Sequence, residues 1–214
     1  MRPPNRNSEF TEVTQVAEYS GHSVEVGEPP ISRTLFADTR MAWFWLLVRL
    51  YAGYMWMIEG WDKLHNPVWA GPKAGTALTG FILGALKKTS GTHPDVSGWY
   101  ANFLHSVVLP HAATWSYAVS AGELLVGVGL ILGLFTGVAA FFGGLMNANY
   151  LLAGTVSVNP LFFILATWLV LAWRIAGYYG LDRWVLPALG VPGAPGSLFK
   201  HSSPTISATH VPSH

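Results

Sequence analysis

Apolar residues along this chain gather into four long runs, and the spacing between the runs sets the fold class. The first covers residues 41–61, MAWFWLLVRLYAGYMWMIEGW, about 20 residues and long enough to cross the hydrocarbon of a bilayer. A second covers 113–133, a third 138–154 after a short LFTG turn, and a fourth 160–180. The fourth opens on Pro160, where proline suits the first helical turn. The last three runs have tight connections and are expected to be antiparallel neighbours. Segment 62–112 carries TALTGFILGALKKT and WYANFLHSVVLPHAATW, both partly apolar and both too short to span. Interfacial or re-entrant helices are expected there rather than structureless coil. Residues 1–40 are polar, broken by Pro3-Pro4 and Pro29-Pro30, and hold no apolar core of the kind a signal peptide needs. They and the Pro/Gly/Ser/His-rich stretch 188–214 are expected to be tails around a membrane domain at 41–187. The predicted fold is all-α and integral to the membrane: a four-transmembrane-helix bundle with interfacial helices in the long loop between helices one and two.

Composition strengthens that picture. Of 214 residues 51% are hydrophobic and only 11% are charged, where a soluble domain carries about 25%. Ten tryptophans and 23 glycines suit interfacial aromatic belts and close helix contacts. A net charge of +1 without a concentrated basic face excludes electrostatic capture of nucleic acid. With no cysteine, disulfides, thiolate metal sites and a thiol redox centre are excluded. No histidine lies in any of the four runs, so a haem with axial ligands inside the bundle is not expected. His105 and His111 are not at a helical ligand spacing, and no flavin or dinucleotide motif is present, so no metal, haem or flavin is expected in this chain. Lys and Arg are nearly level on the two sides; the even span count favours both termini in the cytoplasm.

Charges inside a bilayer cost about 2.5–3.5 kcal/mol on insertion scales, so each asks for a reason. The first run holds Arg49 and Glu59, the second Glu123, the fourth Arg174. Counting about 1.5 Å per residue from the run ends places Arg49 and Glu123 near one level and predicts that they pair. Asn147 in the third run falls near the same depth, with Asn149 beyond it. Such a set either bonds helices together or forms a site, and the sequence leaves both readings open. Arg174 lies near a helix end, where it reaches the interface. Gly53, Trp56 and Gly60 share the Arg49 face, and Gly122, Gly127 and Gly129 flank Glu123, so backbones can approach and a flat ring could lodge there. At the exit of the first run, EGWDKLHNPVW gathers Glu59, Asp62, Lys63 and His65 between Trp61 and Trp69. This group suits either an ordinary aromatic belt or a place where an anion or a proton carrier meets water.

The segments IEGWDKLHNPVW, GFILGALKK, HPDVSGWYANFL, SAGELLVGVGLILGLFTG, NANYLLAGTVSVNP and RIAGYYGLDRWV resemble the DoxX/DoxD superfamily of small four-helix membrane proteins. The likeness covers residues 41–187 and is greatest to the DoxD-like membrane subunit of thiosulfate:quinone oxidoreductase. It implies a chain in a bacterial or archaeal cytoplasmic membrane that works with a second, smaller subunit. The implied reaction oxidises thiosulfate to tetrathionate and passes the electrons to a quinone. Under it Glu59 and Glu123 are candidate catalytic proton donors, and Arg49, Trp56, Trp61, Lys63, His65 and Asn147 are candidate contacts to substrate or quinone. Lys63, His65 or Lys73 could hold the anion. The alternative is a non-catalytic anchor or accessory subunit of a larger respiratory or photosynthetic complex, with a filled bundle in which Arg49 and Glu123 are fully paired.

Overall fold

A computed structural model describes residues 29–191, and among these every regular element is helical. The helices are α1 (Pro30–Ala37), α2 (Ala42–His65), α3 (Thr76–Leu86), α4 (Gly98–Phe103), α5 (Ala112–Leu132), α6 (Thr136–Leu152), α7 (Asn159–Leu171), α8 (Trp173–Ala176) and α9 (Asp182–Ala188). Two helical runs, Thr39–His65 and Gly98–Leu132, are long and apolar enough to cross a membrane. The second joins α4 to α5 through a π-helical turn at Leu104–Val108 and a 3₁₀ turn at Leu109–His111. Those turns absorb Pro110, which would otherwise break the helix.

Two expected boundaries move. Residues 30–37, assigned to a tail, form α1, because Pro30 sits in the first helical turn where its missing N–H costs nothing. Leu35 and Phe36 of α1 pack on the first core, and the Trp45 indole donates to the Leu35 carbonyl at 2.8 Å. The expected tails at 1–28 and 192–214 lie outside the described residues. The fourth apolar run is also not one helix. It breaks at Ala172 into α7 and α8, then turns through Gly177 and Gly180.

The tight connections are built by glycine. Gly133 ends α5 at φ +63°, with the Leu134 N–H closing on the Gly129 carbonyl at 2.9 Å. Gly154 ends α6 at φ +70°, with the Thr155 N–H on the Tyr150 carbonyl at 3.0 Å. Both are left-handed helix stops that a side chain would oppose. The start of α6 is capped from a distance. Asp182 accepts the N–H of Phe135 at 2.6 Å and of Thr136 at 2.8 Å, filling two of the orphan donors that a helix start leaves. Asp182→Ala is therefore expected to lower stability by about 2 kcal/mol, the upper range for a lost cap. Thermal denaturation in detergent against Asp182→Asn, which keeps an acceptor oxygen, measures it.

The helix pair α2–α5 sets the register of the bundle. A Cβ on Gly53 would meet Leu130 and Ile131, one on Gly127 the backbone of Met57, and one on Gly60 the backbone of Glu123 and Leu124. The two helices thus run antiparallel in close backbone contact, with Gly60 level with Glu123. One core joins α2, α5, α6, α7 and α8 around Trp45, Trp56, Leu130 and Leu169. A second joins α3 to the α4 region around Ile82, Val96, Tyr100 and Leu104. Outside, large apolar residues face the surroundings: Leu125 is 70% exposed, and Phe141, Phe142, Leu161 and Leu171 are also exposed. Inside lie Arg49, Glu123, Asn147, Thr136 and Asp182. Charged and polar side chains kept inside while large apolar ones face outward is the arrangement a lipid solvent selects.

Candidate functional site: a polar-centred cavity where the two cores meet

Helical spacing brings five elements to one cavity of about 290 Å³. From α2 come Trp56, Glu59 and Lys63, which share a face at intervals of three and four residues. Glu123 enters from α5, and Asn147 and Tyr150, one turn apart, from α6. Leu78 and Phe81 of α3 and Phe162 of α7 add apolar wall, with Trp69 closing one side. Trp56 belongs to the first core and Leu78 to the second, so the space lies between the two. Phe81 meets the Tyr150 ring edge-on at 6.1 Å, and Phe162 stacks on Tyr51 at 5.9 Å.

At the centre is a carboxylate with both oxygens engaged. Lys63 Nζ donates to Glu123 Oε2 at 2.6 Å, and the Tyr150 hydroxyl donates to Glu123 Oε1 at 2.6 Å. Lys63 also reaches Glu59 Oε2 at 3.5 Å, one turn back on α2, and lies over the Trp69 ring at 5.2 Å. Trp69 is itself fixed, since the Ser116 hydroxyl donates to its carbonyl at 2.6 Å. Glu123 is almost wholly buried, whereas the Glu59 side chain is 61% exposed. Asn147 is 1% exposed, lines the cavity, and its Nδ2 has no hydrogen-bond partner among the described residues. A buried amide N–H without an acceptor costs free energy, and an acceptor-bearing ligand in the cavity would relieve it.

The expected Arg49–Glu123 pair does not form; Lys63 is the partner of Glu123. Depth counted from run ends assumed that both helices enter the membrane at equal levels. The glycine contacts instead set Glu123 beside Gly60, eleven residues beyond Arg49 on α2, or about 16 Å along the helix. Arg49 sits at the other end of the bundle, buried against Gly133 and Gly180, where a Cβ on either glycine would overlap its guanidinium. Its Nη2 donates to the Tyr179 carbonyl at 3.3 Å. It therefore ties the turn after α8 to the α5–α6 turn.

The structure gathers Trp56, Glu59, Lys63, Glu123 and Asn147 around one cavity and leaves Arg49, Trp61 and His65 outside it. Trp61 is 55% exposed and packs on the His65 ring at 4.2 Å, and His65 Nδ1 contacts the Trp61 carbonyl at 2.8 Å. Sequence reasoning missed Tyr150, although its place one turn after Asn147 put it on the same face. It placed Trp69 beside the Glu59–Lys63 group, but missed Phe81 and Phe162, whose arrival depends on how the long loop and α7 fold back. Among the described residues no cluster of His, Asp and Glu has the form of a metal site.

No curated protein and no solved structure matches the chain. The family described as DoxX matches residues 44–158, just over half of the sequence. That stretch runs from the start of α2 to the turn before α7, and it holds Glu59, Lys63, Glu123, Asn147 and Tyr150. With an apolar exterior, two helical runs long enough to cross a bilayer and this match, the chain belongs to the DoxX family of membrane proteins.

Proposed function

We propose that this chain is a four-span subunit of a quinone-linked membrane oxidoreductase and that the cavity takes the quinone ring. The observation that carries the reading is the buried Asn147 amide, without a partner among the described residues, in an aromatic-walled cavity. A quinone carbonyl is an acceptor on a flat apolar ring, and it suits both the amide and the walls formed by Trp56, Phe81 and Phe162. Glu123 and Tyr150 bring protons to the same space. The accessory-anchor reading asks for a filled bundle with Arg49 paired to Glu123, and the helices build neither.

The resemblance to the DoxD-like branch suggests thiosulfate as electron donor and a second, smaller subunit as partner. Two thiosulfate anions join through a new S–S bond to give tetrathionate and release two electrons. One quinone takes these with two protons to become a quinol. Charge separates the two half-reactions in space. With Lys63 between Glu59 and Glu123, the cavity carries one cation and two anions, and an oxyanion in that low-dielectric space would meet net negative charge. The anion therefore belongs outside the cavity, and His65 and Lys73 remain as its contacts on the loop side.

Asn147→Leu keeps the size of the side chain and removes the donor. Quinone binding, read by quenching of tryptophan fluorescence in nanodiscs, should weaken about tenfold, the worth of one hydrogen bond to a buried group. Equal affinity in parent and variant would remove Asn147 from the site; no binding by the parent would end the quinone reading. The four-span topology has its own test in this cysteine-free chain. Single cysteines in place of Lys88 and Lys200 should react with an impermeant maleimide from opposite faces of the membrane, and labelling from one face would exclude four spans.

A further inference from the structure

Three charged side chains and a phenol form a continuous chain from the outer edge of the cavity to its interior. Glu59 is 61% exposed at the side chain, Lys63 17% and Glu123 1%. Contacts of 3.5 Å and 2.6 Å join them through the Lys63 ammonium, and Tyr150 continues the chain at 2.6 Å from Glu123. The groups facing Lys63 are Glu59 on its own helix, Glu123 from α5 and the Trp69 ring from the loop. Tyr150 faces Glu123 from α6, and its ring meets Phe81. A buried ion pair kept only for stability needs no exposed second carboxylate one turn away, and well-packed apolar residues commonly serve as well.

Resting on the quinone reading above, we infer that Lys63 is a proton carrier that loads Glu123 from Glu59. In the first step an N–H bond of the Lys63 ammonium breaks and an O–H bond forms at Glu123 Oε2, leaving a neutral amine beside a neutral carboxylic acid. Glu123 passes that proton to a reduced quinone oxygen, either directly or through Tyr150: the phenolic O–H breaks as the quinone O–H forms, and the phenolate oxygen then takes the Glu123 proton once the carboxyl has turned its O–H toward it. The amine takes its replacement from protonated Glu59, and Glu59 reloads from water at the cavity edge. Two such passes, with the two electrons from thiosulfate, convert one quinone to one quinol. Every proton is drawn from the loop side. Lysine suits the middle place because an ammonium can release a proton, whereas a guanidinium stays charged.

The test needs neither the native donor nor turnover of the whole complex. A short-chain ubiquinone is bound by the full chain in nanodiscs and reduced by one electron from a flash-excited ruthenium dye. Protonation of the bound semiquinone is followed by its absorbance, and uptake from the medium by a pH-indicating dye. Lys63→Arg keeps charge and ion pair but not the releasable proton, so at saturating ubiquinone it should hold the semiquinone at least about tenfold longer than the parent. Lys63→Met, in the fraction that folds, should also lengthen the semiquinone lifetime. Glu59→Gln lies at the exposed edge, where substitution leaves packing intact; it should slow uptake, and millimolar formate should restore it. Parent-like protonation in Lys63→Arg, with quinone bound, would overturn the relay and leave the quinone site standing. Failure of the parent to bind ubiquinone would overturn both.

Discussion

Replacing Gly127 with leucine is expected to abolish accumulation of folded protein in the membrane. The position lies where α5 meets α2, and even a Cβ there would fall on the backbone of Met57. Inserting bulk into a packed interior costs about 1–3 kcal/mol when side chains can shift aside. Here the obstacle is main chain on a helix that cannot yield locally, so the cost lies at or beyond the top of that range. Native proteins hold only about 5–15 kcal/mol in all. Separating α2 from α5 would also part Lys63 from Glu123, which adds the loss of a buried ion pair. Gly60→Leu should behave alike, since its Cβ would meet Glu123 and Leu124 from the other side. Gly84→Ala is the control: it faces open space on α3, and alanine favours a helix by about 1 kcal/mol. Size-exclusion profiles and melting temperatures in detergent should show aggregation or absence for the first two and a small gain for the control. Folded, parent-like Gly127→Leu would show that the α2–α5 contact is not as close as described.

That contact also explains what the sequence revealed and what it hid. Apolar runs and turn glycines placed α2, α5 and α6 to within a few residues, because length and hydropathy alone constrain a bilayer-sized helix. The partly apolar pieces of the long loop, too short to span, were recognised as helical for another reason, that long structureless loops are uncommon, and they form α3 and the α4 region. The partner of Glu123 was hidden because depth counting treats each helix as entering the membrane at its own first apolar residue. The relative register of α2 and α5 is fixed instead by Gly53, Gly60 and Gly127, the positions where two backbones can touch. Aligning those glycines across an antiparallel pair would have set Glu123 beside Gly60 and within reach of Lys63. The break in the fourth run was less accessible. It follows from the need to bring Asp182 to the start of α6, a contact between residues 46 and 47 positions apart. Arg49 was correctly singled out as a buried charge, but the carbonyl it bonds, Tyr179, stood in a run read as continuous helix, where a carbonyl is not free for a side chain.

Lys63→Met and Glu123→Leu should differ in cost, and together they should nearly cancel. Removing one member of a buried pair commonly costs about 3–5 kcal/mol, because the other is left without compensation. Lys63→Met strands Glu123 with only the Tyr150 hydroxyl at 1% exposure, so about 3 kcal/mol is expected. Glu123→Leu is milder, about 1–2 kcal/mol, because the freed lysine is already 17% exposed and 3.5 Å from Glu59 and can turn outward. In the double variant both charges are gone and two apolar side chains of similar size fill the gap. Its stability should return to within about 1 kcal/mol of the parent, a coupling of about 3 kcal/mol, within the range for side chains in direct contact. Denaturation of the four proteins in one detergent gives the cycle, and simple additivity would mean that the pair does not act as a unit. The double variant also separates structure from chemistry. It should fold and expose the same apolar surface to lipid, yet protonate a reduced quinone at least about 10²-fold more slowly, since neither the carrier nor the acid remains. A folded double variant that protonates quinone at the parental rate would place the proton source outside this cavity.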